Sequence, residues 1–486
     1  MTRRLSTPVA YLLLILLIGQ RAAFSTAETE DITQANFDAL DKQFIQLSEK
    51  IYMQMPAPEA VRLDRKNPAR DSLKQLQDTV KTLQQQGQYF TAIQHIIANL
   101  SLINSNINHA ALLDITDLLL THNQWHTFNL IYAEAKKSGE EYYLANINYQ
   151  LSRYYYARQK WEKSAALLEE FQRNLSAEHY DNALIMKGII LQKSKKHREA
   201  MRLYEQVKEQ SSHYEYAQLN KVIAEFRQGW WTDARIKINQ LLKKFPRTEK
   251  ADESEGNERV ENAEFINRLY LVLGYMLLQN EYYRDSREAF RNIEVDSQYA
   301  NRALLGIGLT AANQSDYIGA LNALTKLKNM STYDLSVEES HLLLPLVYEK
   351  LGQNLTATAS YNTAIEYYQQ RLKEIAVMIE NQNTWLIENL ANEKGDSFKL
   401  GNTREALETV CSKAFLQNMA EIENFRKNVK AENLKLEIAN TEIQYKMALK
   451  RMIKTLLEKR AEHLNSYLSQ ARYGLARLYD SSVIEN

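Results

Sequence analysis

The sequence predicts an all-α, helical-repeat fold. Glycine and proline are scarce, one aromatic-centred pattern recurs at near-constant spacing, and long stretches elsewhere contain no helix breaker. The 486 residues include 14 Gly and 6 Pro, where average usage gives roughly 34 and 24. All-β sandwiches and barrels consume these residues in tight turns, so they are excluded. Hydrophobic residues at 45% and charged residues at 25% give ordinary globular composition and exclude global disorder.

The chain opens with a targeting pattern. Arg3 and Arg4 precede the apolar run Val9 to Gly19, and Ser25-Thr26-Ala27 offers small residues for cleavage. The run is about 11 residues, short for a bilayer-spanning helix. A cleaved signal over 1–27 is expected, with mature Glu28 and a periplasmic location. The alternative is an uncleaved N-terminal anchor. Cys411 is the only cysteine, which excludes an intrachain disulfide and Cys-rich zinc frameworks; it reads as a small buried hydrophobe in a helix.

Next comes an amphipathic helix over 28–53, with Phe37, Leu40, Phe44, Leu47 and Ile51 at spacings of 3 and 4. It caps the array that follows or reaches a partner. Pro56, Pro58 and Pro68 mark a linker over 54–71.

Then a turn residue, an aromatic two positions on and a small residue three further recur together. They appear as Gly87-Gln88-Tyr89 with Ala92, Asn123-Gln124-Trp125 with Phe128, and Gln159-Lys160-Trp161 with Ser164. They continue as Lys195-Lys196-His197 with Ala200 and Gly229-Trp230-Trp231 with Ala234. The later anchors are Tyr283 with Ser286, Tyr317 with Ala320, and Asn354 with Ala357. Successive anchors stand 36, 36, 36, 34, 52, 34 and 37 residues apart. The long interval holds an insertion near 247–262, where the acidic stretch Thr248 to Glu261 reads as a solvated loop.

This pattern resembles the tetratricopeptide repeat. Leu273-Gly274 matches the Leu-Gly pair of the first helix, and Gly188 and Gly308 take the same Gly site. Ala200 with Tyr204, and Tyr361 with Ala364, match the second helix, and Pro246 the terminating proline. The resemblance implies a right-handed superhelical solenoid of antiparallel helix pairs, about eight of them over 72–368. Copies two and three depart from it, with Phe128 in the small-residue place and no helix A glycine. Pro345 falls inside helix A of the last copy, where it is expected to kink the helix or mark a later start.

Beyond residue 368 a long helical, coiled-coil-like region is expected over 369–486. A helix to about Asn392 precedes a break at Gly395 and Gly401, and Thr403 to Tyr473 contains neither Gly nor Pro. Phe415, Met419, Ile422, Phe425 and Val429 suit a seam. The pattern slips between Lys430 and Thr441 and returns at Ile443, Met447, Leu457, Leu464, Tyr467, Ala471, Leu475 and Leu478. These helices pack on 361–392, on the solenoid or on another subunit. The stretch Tyr467 to Tyr479 looks like a degenerate repeat helix that caps the array.

No common catalytic signature occurs: no H-E-x-x-H, G-x-S-x-G, G-x-x-x-x-G-K or C-x-x-C. His122 and His126 stand four apart but flank a repeat turn and lack a third ligand, so no metal or cofactor is expected. His197 is an anchor and reads as packing. Lysine and arginine balance aspartate and glutamate at 60 each, which gives no global steering towards nucleic acid.

The resemblance implies a helix A face that binds partners. Its positions here are Asn146, Tyr149, Arg153, Tyr156, Asn182, Gln192, Lys193, Tyr216, Arg227, Arg268 and Tyr275. Tyr, Arg and Asn suit a peptide or stacked sugar rings; the alternative is that the tyrosines are packing and the polar groups merely solvated. The set lacks the two-carboxylate clamp of chaperone-binding family members. Lys446, Lys450, Arg451 and Lys454 form a basic stripe, with Lys459 and Arg460 nearby, fit for an acidic partner or membrane surface or simply a solvated helix face. The expected function is a non-enzymatic protein-interaction scaffold of the cell envelope, in assembly, secretion or polysaccharide export. The alternative is a carbohydrate- or peptidoglycan-binding module with an aromatic groove.

Overall fold

Each repeat anchor is the first residue of a helix. In the computed structural model, which describes residues 27–54, 69–170, 174–244, 256–330, 334–380 and 413–484, second helices begin at Tyr89, Trp125, Trp161, His197, Trp231, Tyr283, Tyr317 and Asn354. Each follows its helix A through one kind of turn. The residue two before the anchor is left-handed in every copy: Gly87, Asn123, Gln159, Lys195, Gly229, Glu281, Ser315 and Gly352, with φ between 58° and 81°. The amide just before each anchor donates back across the turn, as Lys196 does to Leu191 and Tyr282 to Leu277, both at 2.9 Å. This is the Schellman closure, which satisfies carbonyls orphaned at a helix end.

Helix α1 spans Ala27–Gln54. The hairpins are α2 (Ala69–Gln85) with α3 (Tyr89–Ala98), followed by the short α4 (Leu100–Asn104), then α5 (Ala111–Thr121) with α6 (Trp125–Ser138) and α7 (Glu141–Ala157) with α8 (Trp161–Glu170). Then come α9 (Ala177–Lys193) with α10 (His197–Tyr204), α11 (Tyr214–Arg227) with α12 (Trp231–Lys244), α13 (Gly256–Gln279) with α14 (Tyr283–Arg291), α15 (Ala300–Asn313) with α16 (Tyr317–Lys328), and α17 (Leu335–Lys350) with α18 (Asn354–Glu380). Two more, α19 (Lys413–Asn428) and α20 (Glu432–Ile484), complete the described chain, which contains no strand.

The packing explains the pattern. The residue three after each anchor is fully buried in all eight copies, Phe128 included. Opposite it lies the helix A glycine site. A Cβ at Gly188 would overlap the Tyr204 ring, and one at Gly308 would stand 2.7 Å from Leu324. In copy three Ser152 takes that site, and its hydroxyl meets the Ser164 hydroxyl at 2.9 Å. A small polar residue therefore gives the close approach that glycine gives elsewhere.

Two expectations change, and of the two offered for Pro345 the later helix start is not taken. α17 runs unbroken from Leu335 to Lys350 with Pro345 inside. Pro345 lies nine residues before its anchor, in register with Gly188, Gly274 and Gly308, and it is buried; only the His341 carbonyl loses its intrahelical donor. α13 begins at Gly256, so the last six residues of the acidic stretch are helical. The apolar pattern does not slip after Lys430. The buried set there is Leu434, Ile438, Tyr445 and Leu449, whereas Ile443 and Met447 are about half exposed. Leu436, 66% exposed, is the apolar residue that falls outside this spacing. Residues 1–26, 55–68, 245–255 and 381–412, with the signal, the linker, Pro246 and Cys411, lie outside the described residues.

The chain divides into two compact units: Asp31–Asn220 with Cys411–Ala448, and Met1–Glu30, Lys221–Val410 with Leu449–Asn486. In the first, α1 and the helices from Lys413 onward share an aromatic core: Phe37 lies 5.9 Å from Phe415, Phe44 6.1 Å from Tyr445, and Tyr52 6.0 Å from Phe425. In the second, α20 covers the last hairpin. Gly474 faces the Tyr361 ring as Gly306 faces Phe290, so α20 takes the place of a next helix A. No described helix is long and apolar enough to cross a membrane.

Candidate binding surface

Helix A side chains at fixed distances before each anchor form the candidate surface, and the hairpins hold them. In the first unit the positions divide between core and surface. Asn146 and Tyr149 are buried, at 0% and 2% exposure. Asn146 Oδ1 meets His179 Nδ1 at 2.7 Å, and the Tyr149 ring stacks on His179 at 4.4 Å. These two side chains belong to packing between repeats and offer nothing to a partner. Tyr156 is half-buried, edge-on to Trp161 at 5.1 Å, and burial raises its hydroxyl pKa. Arg153 is exposed and pairs with Asp117 at 3.8 Å. Asn182 is half-buried, Gln192 donates to the Asn220 carbonyl at 2.8 Å, and exposed Lys193 sits 4.7 Å over Trp161. Tyr216 is 48% exposed.

In the second unit Arg227 is exposed and Arg268 half-buried. Tyr275 packs against Phe290 at 4.9 Å and donates to the Arg302 carbonyl at 2.9 Å. Arg268, Arg302 and Glu339 each stand fifteen residues before their anchors. Sequence reasoning missed the last two, although the register that selects Arg268 selects them as well.

The basic stripe is weaker than its sequence implies. Lys446 pairs with Glu442 at 2.6 Å and Lys454 with Glu458 at 3.7 Å. Arg460 is turned to Glu338, 2.8 Å away. Lys450 is half-buried and Arg451 exposed.

A second polar feature was not anticipated. Asp41, Asn123, Arg158, Asn418 and Tyr445 form a buried network in the first unit. Asn418 donates to Asp41 at 3.0 Å and to the Tyr445 hydroxyl at 3.0 Å. The Arg158 guanidinium lies 3.5 Å over the Tyr154 ring, and the Tyr154 hydroxyl donates to Asn123 at 3.1 Å. His122, offered by spacing as a metal ligand, contacts Glu421 at 3.2 Å and stacks near Tyr89; His126 lies on the following helix. No cluster able to hold a metal occurs among the described residues.

Eight hairpins with the same left-handed turn and a fully buried residue three after the anchor settle the architecture. The described hairpins have a tetratricopeptide-like fold. No family model matches the chain, and no curated protein matches it. Among solved structures, it is similar to a tetratricopeptide repeat protein from Parabacteroides merdae, at 15% identity over 57% of this chain and 99% of that one, with a TM-score of 0.36. It is also similar to the apo form of RapI, at 13% identity over 78% and 98%, TM-score 0.42. The apo quorum sensor NprR from B. thuringiensis matches at 14% identity over 72% and 97%, TM-score 0.35. Within this tetratricopeptide-like array, the exposed helix A side chains are the groups available to a partner.

Proposed function

We propose that the protein is a non-enzymatic scaffold that binds another protein through its helix A faces. One observation carries the reading: the position fifteen residues before the anchor holds Tyr216, Arg268, Arg302 and Glu339 in successive later copies, none of them fully buried. Side chains of this kind on rigid helices suit recognition, and no catalytic constellation accompanies them among the described residues. The targeting pattern over 1–27 supports an exported, periplasmic setting and hence a partner in the envelope. A carbohydrate groove has less support, because Tyr149 is buried and Tyr275 is packed on Phe290.

The test is capture with cross-linking from envelope extracts. A defined partner is expected with the wild-type chain, and its recovery should fall severalfold with Tyr216→Ala and Arg268→Ala. Equal recovery by both variants would place binding elsewhere and sink the reading. Finding the protein with Met1 intact in a cytosolic fraction would sink the export proposal.

A further inference from the structure

Helix α20 is apolar on two opposite faces. Leu434, Ile438, Tyr445 and Leu449 are buried, while Leu436, Ile443 and Met447 are 66%, 55% and 49% exposed. At about 100° of turn per residue, positions 436, 443 and 447 fall within about 20° of one line along the helix. The buried four lie on the other side. Ala439 and Asn440, both exposed, fill the turn between, so no charged residue interrupts the line. The charges that flank it are answered within the chain: Lys446 meets Glu442 at 2.6 Å, and Lys50 pairs with Glu437. Single exposed apolar residues are ordinary, but three aligned on one helix face make a stripe that a folded chain buries. The two ends of the stripe carry opposite charge. Glu432 opens it, with its side chain 86% exposed and 2.7 Å from Lys435. Half-buried Lys450 and exposed Arg451 close it.

Both the apolar line and its charged ends are self-complementary. An antiparallel pairing that sets Leu436 on the partner's Met447 also sets Asn440 on the partner's Ile443. It brings Glu432 beside the partner's Lys450 and Arg451, and two-fold symmetry repeats every contact. A parallel pairing would instead set like charge on like charge at both ends. We propose that this stripe is a homodimer interface, in which two copies of the chain pair antiparallel along α20. Glu432 to Arg451 spans about 29 Å at 1.5 Å per residue. One helix face of that length buries less than the roughly 800 Å² per partner of a standard interface, so the dimer forms reversibly, in the micromolar range. The proposal is independent of the scaffold reading, because the helix A faces take no part in it.

The test is sedimentation equilibrium of the full chain over roughly 1–100 µM. A monomer–dimer equilibrium is expected, weakened on the order of tenfold or more by Ile443→Glu. Glu432→Lys should weaken it as well, because like charges then meet. Adding Lys450→Glu and Arg451→Glu to that variant should restore the wild-type constant. None of these four positions is buried, and circular dichroism melts confirm that each variant folds. A photo-cross-linking residue at position 443 should join two copies. A chain that stays monomeric over this range would overturn the proposal. So would a dimer indifferent to Ile443→Glu and to the charge reversal, or a cross-link to residues 381–412 of the same chain or to a different protein. The scaffold reading stands or falls separately, on partner capture with Tyr216→Ala and Arg268→Ala, which lie outside α20.

Discussion

The Arg158 guanidinium donates through Nε to both carboxylate oxygens of Asp41, at 3.2 and 3.0 Å, with both side chains buried. This pair joins α1 to the turn of the third repeat, and Asn418 brings α19 to the same carboxylate. Removing one partner of a buried pair leaves the other uncompensated, at a cost of roughly 3–5 kcal/mol. Arg158→Met should therefore lower the urea midpoint of this unit sharply, with faster hydrogen exchange in α1 and α19. Adding Asp41→Leu should recover much of the loss. A double variant as unstable as the sum of the singles would contradict this account.

Phe290 sits between two glycines of successive helix A segments, Gly274 and Gly306, and a Cβ on either would press into its ring. In an exposed helix, Gly→Ala stabilises by about 1 kcal/mol. Here Gly306→Ala should instead destabilise by roughly 1–3 kcal/mol, because overpacking outweighs propensity. Phe290→Leu in the same chain should relieve part of that cost. A stabilised Gly306→Ala chain in thermal melts would show that the ring has room to move.

Non-glycine residues occupy the left-handed turn position in five copies: Asn123, Gln159, Lys195, Glu281 and Ser315. Each carries a strain of roughly 1 kcal/mol that glycine avoids. Lys195 is exposed, so Lys195→Gly removes strain without removing packing. It should raise stability by up to about 1 kcal/mol, less whatever entropy glycine adds to the unfolded chain. Chemical denaturation with local hydrogen exchange over α9 and α10 measures this, and a clear loss of stability would argue against the strained turn.

These elements also show what the sequence discloses. The anchors and turns were legible because the turn, aromatic and small residues lie within six positions of one another, and local chemistry sets them. Gly188, Gly274 and Gly308 were legible because each stands nine residues before its anchor, and Pro345 shares that register. The Asp41 network was not legible, since it joins residues 41, 158 and 418 and long-range pairing leaves no spacing to read. One trace existed: Asp41 and Ser48 lie on the apolar face of α1, where a polar residue needs a partner. Among the surface candidates, Tyr149 and Arg153 share a helix and fall on opposite sides of burial, which depends on His179 from the next repeat.

Glu339 makes stability depend on pH. Its folded pKa of about 7 lies above the ordinary 4.5, so its neutral form is favoured in the fold. Its contribution is fully present below pH 4.5 and declines as pH rises through 7. Glu339→Gln stays neutral throughout. It should match the wild-type chain near pH 4 and exceed it near pH 8 by at most roughly 3 kcal/mol, less the screening that a half-buried group receives. His341 acts oppositely. Burial and then Lys328 lower it to about 3, so its stabilising effect, present above 6.5, is lost as pH falls towards 3. Both chains share His341, so the difference between their denaturation curves isolates Glu339. A difference that does not change with pH would show that the carboxyl ionises normally.

Gly474 decides whether α20 covers the last hairpin. A Cβ there would overlap the ring of Tyr361, which is fully buried and whose hydroxyl donates to Glu349. Arg477, one turn further on, meets the same carboxylate. Gly474→Ala adds helix propensity and removes the close approach, so the two effects have opposite signs. Tyr361 is held by both its ring contact and its hydroxyl, so it has little freedom to retreat, and overpacking of roughly 1–3 kcal/mol should prevail. The expected outcome is faster limited proteolysis within 449–484 and faster exchange in α18, with the first four repeats unaffected. Tyr361→Leu combined with Gly474→Ala should restore protection. If Gly474→Ala alone leaves the cleavage pattern unchanged, this contact does not hold the helix, and the ion pairs of Glu338 and Glu349 must carry the cap.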